Sequence, residues 1–243
     1  KLNLYVQSMK IVAIIPARKN SRGLPDKNIK LLCGKPLISH TIEAACRCSK
    51  INEVYINSDS EVYLEVGEEY GAKKFLRPPE HATDEASMKS VIDHFIGKLE
   101  QRNEHFDAVL VLYPVYPFRT SEDLANIIEA FEFQGGNVPL IGIKEPTTHP
   151  YLCYERKDNG QLKNVMNIDE NQFYRRQQYP EYYQITHWAL MLPVKSISRL
   201  NNQLICSDSF GYLVPKEKKT HVNIDELIDL QFAEFLMQND ERT

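Results

Sequence analysis

The sequence predicts a three-layer α/β fold built around a mostly parallel sheet. Strand-like apolar runs alternate with helix-like stretches over the first 145 residues. The runs KIVAII (residues 10–15) and AVLVLY (residues 108–113) are continuously apolar, as in strands that helices cover on both faces. The length of 243 residues suits one large α/β domain that needs no disulfides.

The successive elements follow from apolar spacing and from residues typical of helix ends. Predicted strands cover residues 10–15, 53–57, 108–113 and 138–143, and predicted helices cover residues 36–49, 61–70, 87–99 and 121–133. Gly71 is a natural C-cap for the second helix. Thr120 or Ser121 is expected to cap the fourth helix, because Glu122 and Asp123 in its first turn suit the helix dipole. This alternation implies right-handed βαβ units.

The pattern changes after residue 145. Residues 145–183 are rich in Tyr, Gln, Asn and charged side chains, and we interpret them as an inserted flap. Residues 185–192 and 211–214 are predicted to return to the sheet as strands. Residues 225–237 are predicted to form a closing helix.

The first eight residues are left out of the fold prediction. Residues 1–8 contain LYVQS directly before Met9, which resembles the remnant of a protease-cleavable tag. We therefore expect Met9 to be the natural start and residues 9–243 to form a single domain that carries the flap.

Composition and charge argue against several classes of protein. The formal net charge is only -4 and the basic residues are scattered, whereas nucleic-acid-binding domains present a basic face. No apolar run approaches the roughly 20 residues that span a bilayer. Five cysteines without a C-x-x-C pair do not indicate a disulfide framework or a zinc site. We expect a cytoplasmic protein with reduced thiols that binds neither nucleic acid nor membrane.

The loop after the first predicted strand is the strongest functional signal. Residues 15–28 read IPARKNSRGLPDKN and contain Gly23. The cationic side chains of this loop are Arg18, Lys19, Arg22 and Lys27. A glycine-bearing cationic loop at the carboxyl end of a strand suits a triphosphate, although the P-loop and dinucleotide motifs are absent. From composition alone, a solvated basic loop is an equal alternative.

The same loop closely resembles the signature IPARxxSKGxxxKN of the acylneuraminate cytidylyltransferases, the CMP-sialic acid synthetases. The resemblance continues in order along residues 10–237. The further matching segments are Asn57-Ser58-Asp59, Arg77-Pro78 with residues 84–87, LYPVYPFR at residues 112–119, Arg175-Arg176-Gln177 and Asn223-Ile224-Asp225.

This resemblance implies an activity and its participants. It implies a nucleotidyltransferase (Rossmann-like) fold and a Mg²⁺-dependent transfer of CMP from CTP to a sugar acid of the nonulosonic or ulosonic type, with release of pyrophosphate. The expected partners are CTP and the small sugar acid. By the same analogy, the flap is expected to build a homodimer.

The resemblance also assigns roles to individual positions. Arg18 and Lys27 are the expected catalytic residues, because they match residues that act on the phosphates. The expected nucleotide-binding residues are Ala17, Arg18, Arg22, Gly23, Asn28, Arg77, Ser87 and Tyr113. The expected sugar-acid-binding residues are Arg176, Gln177 and Thr186. The expected metal ligands are Asp225 and Asn223.

Several of these polar residues also have structural interpretations. Asp59 and Asp84 precede predicted helices and are equally expected as helix caps. Arg77 lies before two prolines, where a surface turn is an alternative. Asp225 suits the first turn of the closing helix. Trp188 is expected in the core.

Four departures from the family pattern leave two alternatives open. Tyr113 replaces a Gln that reads the cytosine edge, and Asn223 replaces an Asp. Thr186-His187 replaces Asn-Gly, and Leu152 replaces a Lys that faces the sugar acid. The first alternative is a relative that uses another nucleotide or another acceptor, such as a sugar phosphate or a phosphonate. The second is a catalytically silent nucleotide-binding subunit.

Overall fold

The computed structural model describes residues 9–19, 23–169 and 171–240. The strands of this part of the chain are β1 (Ile11–Pro16), β2 (Leu31–Leu32), β3 (Lys35–Pro36), β4 (Glu53–Ser58), β5 (Lys73–Leu76), β6 (Ala108–Val111), β7 (Leu140–Lys144), β8 (Tyr154–Arg156), β9 (Leu162–Asn164), β10 (Gln184–Pro193) and β11 (Phe210–Leu213). The α-helices are α1 (Leu37–Arg47), α2 (Glu61–Glu69), α3 (Met88–Gln101), α4 (Ser121–Phe133) and α5 (Leu227–Asp240).

Seven of these strands form one sheet in the order β11-β7-β10-β6-β1-β4-β5. Strand β10 runs antiparallel to β6 and β7, and the other neighbouring pairs are parallel. The mostly parallel sheet that the sequence predicts is therefore confirmed. Because β1, β4, β5 and β6 are mutually parallel, their carboxyl ends lie at the same edge of the sheet, where ligands of such sheets bind.

Both faces of the sheet are buried. In β1, Ile11, Ala13 and Ile15 belong to the apolar cluster that includes α1, α2 and α4. Val12 and Ile14 belong to the cluster that includes α3. All five side chains are at most 1% exposed, which explains why this strand is apolar without alternation. Helices on both faces make the three layers that the sequence predicts.

Strand β5 was not predicted from the sequence. Of its residues Lys73, Lys74, Phe75 and Leu76, only Phe75 is buried, so the apolar signal is too weak to indicate a strand. The strand lies at an edge of the sheet, where lysines discourage pairing with another chain.

The closing helix packs against the loop that follows β1. Leu230 and Ala233 of α5 form one apolar cluster with Leu24 and Leu32 of that region. The sequence resemblance spans both segments, and this packing brings them together although they lie about 200 residues apart.

Helix α5 begins at Leu227, two residues later than predicted. The Asp229 carboxylate accepts the backbone N–H groups of Asp225 and Glu226 at 2.9 and 2.8 Å, respectively. Asp225 therefore precedes the helix, and the interpretation of its carboxylate as a first-turn acid is wrong.

Other helix ends follow local capping chemistry. Helix α4 has a reciprocal capping box between Thr120 and Asp123, and Gly71 after α2 has a φ of +103°. The N-cap residues of α2 and α3 are Ser60 and Ser87, so Asp59 and Asp84 are not helix caps. Among the described helices, none combines the length and the apolarity needed to cross a membrane.

Candidate active site

Four polar residues follow four parallel strands at the same edge of the sheet. Arg18 follows β1, Asp59 follows β4, Arg77 follows β5 and Tyr113 follows β6. The sheet therefore gathers two cations, a carboxylate and a phenol from segments that are far apart in the chain. This edge is the candidate active site.

The loop after β1 is held in place by two side chains. The Asn28 side chain is buried, and its Nδ2 donates to the Arg18 carbonyl oxygen at 3.2 Å. The Tyr63 hydroxyl of α2 donates to the Asp26 carboxylate at 2.9 Å. Asn28 thus supports the loop, and its expected contact with the nucleotide stays a prediction. The role of Tyr63 was missed because no local pattern links α2 to this loop. Arg22 lies outside the described residues.

Both predicted catalytic cations lie beside carboxylates. An Arg18 guanidinium nitrogen is 2.5 Å from an Asp84 oxygen, and Lys27 Nζ is 2.9 Å from Asp225 Oδ1. Only 12% of the Lys27 side chain is exposed, whereas 61% of the Asp225 side chain is. The carboxylate partners are exposed to solvent, at 47% for Asp84 and 61% for Asp225, so each ion pair contributes little stability and a phosphate group can replace the carboxylate.

Gly23 lies against the backbone of the segment that carries Asp225. A Cβ atom at position 23 would lie 2.5 Å from the Asp225 carbonyl oxygen. No side chain fits at that distance, so the glycine permits close packing between the phosphate loop and the Asp225 segment. The predicted role of Gly23 in direct nucleotide binding remains untested.

Arg77 lies in the interior rather than in a surface turn. Its side chain is 5% exposed, and it donates to the Asn57 side-chain oxygen at 2.6 Å and to the Asn57 carbonyl oxygen at 3.1 Å. Burial lowers the pKa of Arg77 to about 10, so the guanidinium is still charged at neutral pH. Arg77 lines a cavity of about 580 Å³ together with Asp59, Pro78 and Thr83.

Tyr113 forms an uncharged wall beside this cation. Its ring packs edge-on against the His187 ring, with centroids 5.4 Å apart. Burial raises the pKa of Tyr113 and lowers the pKa of His187, so the phenol and the imidazole are both neutral near pH 7. Tyr113 thus offers a single hydroxyl group, where an amide would offer both a donor and an acceptor group.

Ser87 and Ala17 complete the predicted nucleotide residues. The Ser87 hydroxyl accepts the Ser90 N–H at 3.2 Å as the N-cap of α3, three residues after Asp84. The backbone N–H of Ala17 donates to the Asn57 carbonyl oxygen at 2.9 Å, which joins the start of the phosphate loop to β4. Both residues lie in segments that frame the Arg18–Asp84 pair.

The two predicted metal ligands lie side by side. Asn223 Nδ2 donates to Asp225 Oδ2 at 2.5 Å. Within the described chain, the buried Oδ1 of Asn223 has no hydrogen-bond partner. An unpaired amide oxygen beside a carboxylate suits Mg²⁺, which prefers oxygen ligands and commonly takes one or two from the protein and the rest from phosphates and water. No group of three or more His, Cys, Asp or Glu side chains among the described residues could hold a metal ion by itself.

The predicted sugar-acid residues are not all in one place. Arg176 lines a cavity of about 450 Å³ in the flap, together with Leu152, Tyr174 and Tyr179. Gln177 is in the short helical turn beside it and is exposed. Thr186 is buried on β10, where its hydroxyl lies 3.2 Å from the Tyr116 hydroxyl. The roles of these three residues therefore remain predictions.

Comparison of the sequence with known proteins finds similarity to cytidylyltransferases. The family model described as cytidylyltransferase matches residues 12–234. The pseudaminic acid cytidylyltransferase of Campylobacter jejuni is 40% identical over 243 aligned positions, which cover 94% of this chain and 96% of the relative. The CMP-N,N'-diacetyllegionaminic acid synthase of Legionella pneumophila is 30% identical over 231 residues, which cover 95% of this chain and 97% of the relative.

Two further matches concern length and fold. The chain spans about half the length of the N-acylneuraminate cytidylyltransferases that it matches, such as 49% of the Streptococcus agalactiae protein. The solved structure of a CMP:2-keto-3-deoxy-manno-octonic acid synthetase complexed with CTP superposes with a TM-score of 0.65 at 16% identity. That match covers 95% of this chain and 99% of the solved one, and it shows a shared fold.

Proposed function

The chain belongs to the cytidylyltransferase family, and from this premise we propose that it transfers the CMP moiety of CTP to a nonulosonic acid and releases pyrophosphate. The family, the enzyme class and the α/β fold predicted from the sequence are confirmed. The identity of the acid, the metal requirement and the roles of individual residues are parts of the proposal.

The observation that carries the proposal is the gathering of Arg18, Lys27 and Arg77 at one edge of the sheet. Arg18 and Lys27 stand on an anchored loop where a polyphosphate can replace their carboxylate partners. Arg77 lines a separate cavity next to Asp59, and its buried charge is held by Asn57. In the proposed binding mode, the phosphates of CTP lie on the loop and the nucleoside lies toward that cavity.

The proposed chemistry is a single displacement at phosphorus. A hydroxyl oxygen of the acid attacks the α-phosphorus of CTP, and the bond from that phosphorus to the oxygen bridging the β-phosphate breaks. The hydroxyl proton passes to solvent or to a base, and pyrophosphate leaves with the bridging oxygen. Arg18 and Lys27 stabilise the charge that develops on the phosphates.

Asp225 and Asn223 are the residues that would hold Mg²⁺. A bound Mg²⁺ would neutralise charge on the phosphates and orient them. The chain's own contribution is the pairing of Lys27 with Asp225, which keeps the cation and the carboxylate next to the loop before nucleotide arrives.

We propose pseudaminic acid as the first acceptor to test. The 40% identity to the Campylobacter jejuni pseudaminic acid enzyme supports this choice. By the sequence resemblance, Leu152 replaces a family Lys, which argues against N-acetylneuraminate as the acceptor. Leu152 lines the flap cavity with Arg176, so this cavity has one fewer cation than the family pattern implies.

The assay is pyrophosphate release from purified protein with CTP, MgCl₂ and a panel of nonulosonic acids, of which pseudaminic acid is expected to be the best. We expect turnover to disappear in EDTA and return when Mg²⁺ is added in excess. No release with any acid would contradict the proposal. CTP binding without turnover would instead favour a catalytically silent subunit.

Tyr113 motivates a second candidate, a relative that uses another nucleotide. The phenol stands where the family has an amide, and its environment is uncharged apart from Arg77. The same assay with ATP, GTP and UTP in place of CTP separates the candidates. Preferred turnover of a nucleotide other than CTP would favour the second.

We also propose that the protein is a homodimer assembled through the flap. The flap exposes several large apolar side chains, including Leu162 and Val165 at 65% and 64% exposure. Light scattering after gel filtration is expected to give about twice the chain mass of 28.2 kDa. Val165→Glu is expected to give monomers, whereas Phe133→Glu, on the exposed face of α4, is expected to leave the dimer intact. A monomeric unaltered protein would refute this part.

A cytoplasmic location is the final part of the proposal. It is supported by the five cysteines, whose odd number and spacing do not suit a disulfide framework. Fractionation of the source cells tests it, and recovery outside the cytoplasm would contradict it.

A further inference from the structure

The buried side chain of Arg119 joins three elements around the candidate active site. It is 4% exposed, and its guanidinium donates to the carbonyl oxygens of Tyr113 and Trp188 and, at 3.0 Å, to the Thr41 hydroxyl of α1. Among the described residues, its Nε has no hydrogen-bond partner. The sequence motif contained Arg119, but no role followed from its local pattern.

The guanidinium lies where strands β6 and β10 stop pairing. Their antiparallel ladder ends at Leu190 opposite Val111. On its other side, the register of β10 against β7 shifts between Ile185 and Leu190. Residues 186–189 therefore lie in an irregular stretch, where a bulge leaves backbone groups without their usual ladder partners. Arg119 supplies the missing partner of the Trp188 carbonyl.

The two segments that Arg119 joins carry the predicted substrate residues. Tyr113 is the predicted nucleotide-side residue, and Arg119 binds its carbonyl oxygen. Thr186 is the predicted acceptor-side residue, and its hydroxyl contacts the Tyr116 hydroxyl. The Arg119 guanidinium in turn lies 5.7 Å from the centre of the Tyr116 ring. The Arg119 side chain thus connects the segment that carries Tyr113 with the segment that carries Thr186 and Trp188, and the space between these two segments is called the gap below.

Burial of the Arg119 cation has a cost in free energy that an apolar side chain would not have. Transfer of a guanidinium into the interior is unfavourable unless its donors are used, and an apolar side chain would fill the volume without that cost. Charge-assisted bonds to two carbonyls are strong and directional, so they fix the distance between the segments. Burial lowers the pKa of Arg119 to about 9, and the side chain is still a cation near pH 7.

We propose that Arg119 is a positioning residue of the transfer reaction. It sets the spacing between the nucleotide-side wall at Tyr113 and the acceptor-side wall at Thr186, so that the acceptor hydroxyl meets the α-phosphorus in line. This role rests on the proposed function, since it presumes that CTP and the acid meet between the Tyr113 segment and the Thr186 segment.

Arg119→Lys tests the role, because lysine keeps the charge but cannot bridge both carbonyls with the same geometry. With kcat calculated per CTP-binding site, so that unfolded protein does not count, we expect it to fall at least about tenfold. The reason is that small displacements of reacting groups lower the rate strongly. The KM for CTP is expected to stay within about twofold, since Arg18 and Lys27 are unchanged. Trp188 is the only tryptophan of the sequence, so the near-ultraviolet circular dichroism of its ring is expected to change when the segment that carries it shifts.

Arg47→Lys is the matched control, because Arg47 is exposed on α1 and its substitution is expected to leave kcat unchanged. Thr41→Val removes one acceptor of the guanidinium and is a milder second variant, expected to lower kcat a few-fold if Arg119→Lys does not fold. Unaltered kcat per CTP-binding site in the folded Arg119 or Thr41 variant would overturn the inference alone. Absence of turnover in the unaltered protein would overturn the proposed function and the inference with it.

Discussion

Lys27→Met is expected to lower kcat for pyrophosphate release by about 10²- to 10³-fold, the usual cost of removing one well-placed donor from a site that stabilises developing charge. Lys27 is suited to this role because its side chain is largely buried in the loop after β1 and its ammonium group is 2.9 Å from the Asp225 carboxylate. Methionine keeps an unbranched apolar side chain of nearly the same length and removes the ammonium group, with its charge and its N–H donors.

This variant is expected to fold normally. Its partner Asp225 is mostly exposed, so losing the ion pair costs little stability, and we expect the melting temperature to change by no more than about 2 °C. Lys98→Met, on the exposed face of α3, is the matched control and is expected to retain full activity. A loss of less than about threefold for Lys27→Met would show that the ammonium group does not act in the transfer.

Gly23→Ala is expected to lower kcat/KM by about 10- to 100-fold, although it removes no functional group. The added Cβ would lie 2.5 Å from the Asp225 carbonyl oxygen, so either the phosphate loop or the Asp225 segment must move by several tenths of an ångström or more. The loop carries residues proposed to contact the triphosphate, and the Asp225 segment carries the residues proposed to hold Mg²⁺. Misplacement of about 1 Å in a catalytic site can cost about 10²-fold.

Gly97→Ala is the matched control for this prediction. An added Cβ at Gly97, in α3, would meet nothing within 4 Å. Alanine there is expected to leave kcat/KM unchanged and to stabilise the helix by about 0.5–1 kcal/mol. Thermal unfolding and steady-state kinetics on both variants check the pair. An unchanged kcat/KM for Gly23→Ala would mean that the transfer does not depend on the close packing of the loop against the Asp225 segment.

Much of the fold could be predicted because it depends on local patterns. Continuous apolar runs predicted β1 and β6, and apolar spacing predicted α1, α3 and α4 to within about two residues at most ends. Strand β5 was missed because an edge strand with two lysines lacks that apolar signal. The start of α5 was misplaced because the Asp229 carboxylate satisfies N–H groups ahead of the helix.

The sequence by itself determined the residue types of the phosphate loop, including Arg18, Gly23 and Lys27, and the family to which the chain belongs. Only the tertiary structure decided that Lys27 pairs with Asp225, which lies 198 positions away in the sequence. It also decided that Arg77 is buried against Asn57 and that Arg119 donates to the Trp188 carbonyl oxygen of β10. The physical reason is range. Helix and strand propensities act over a few residues, whereas these contacts depend on how the sheet and the helices pack, which no local pattern records.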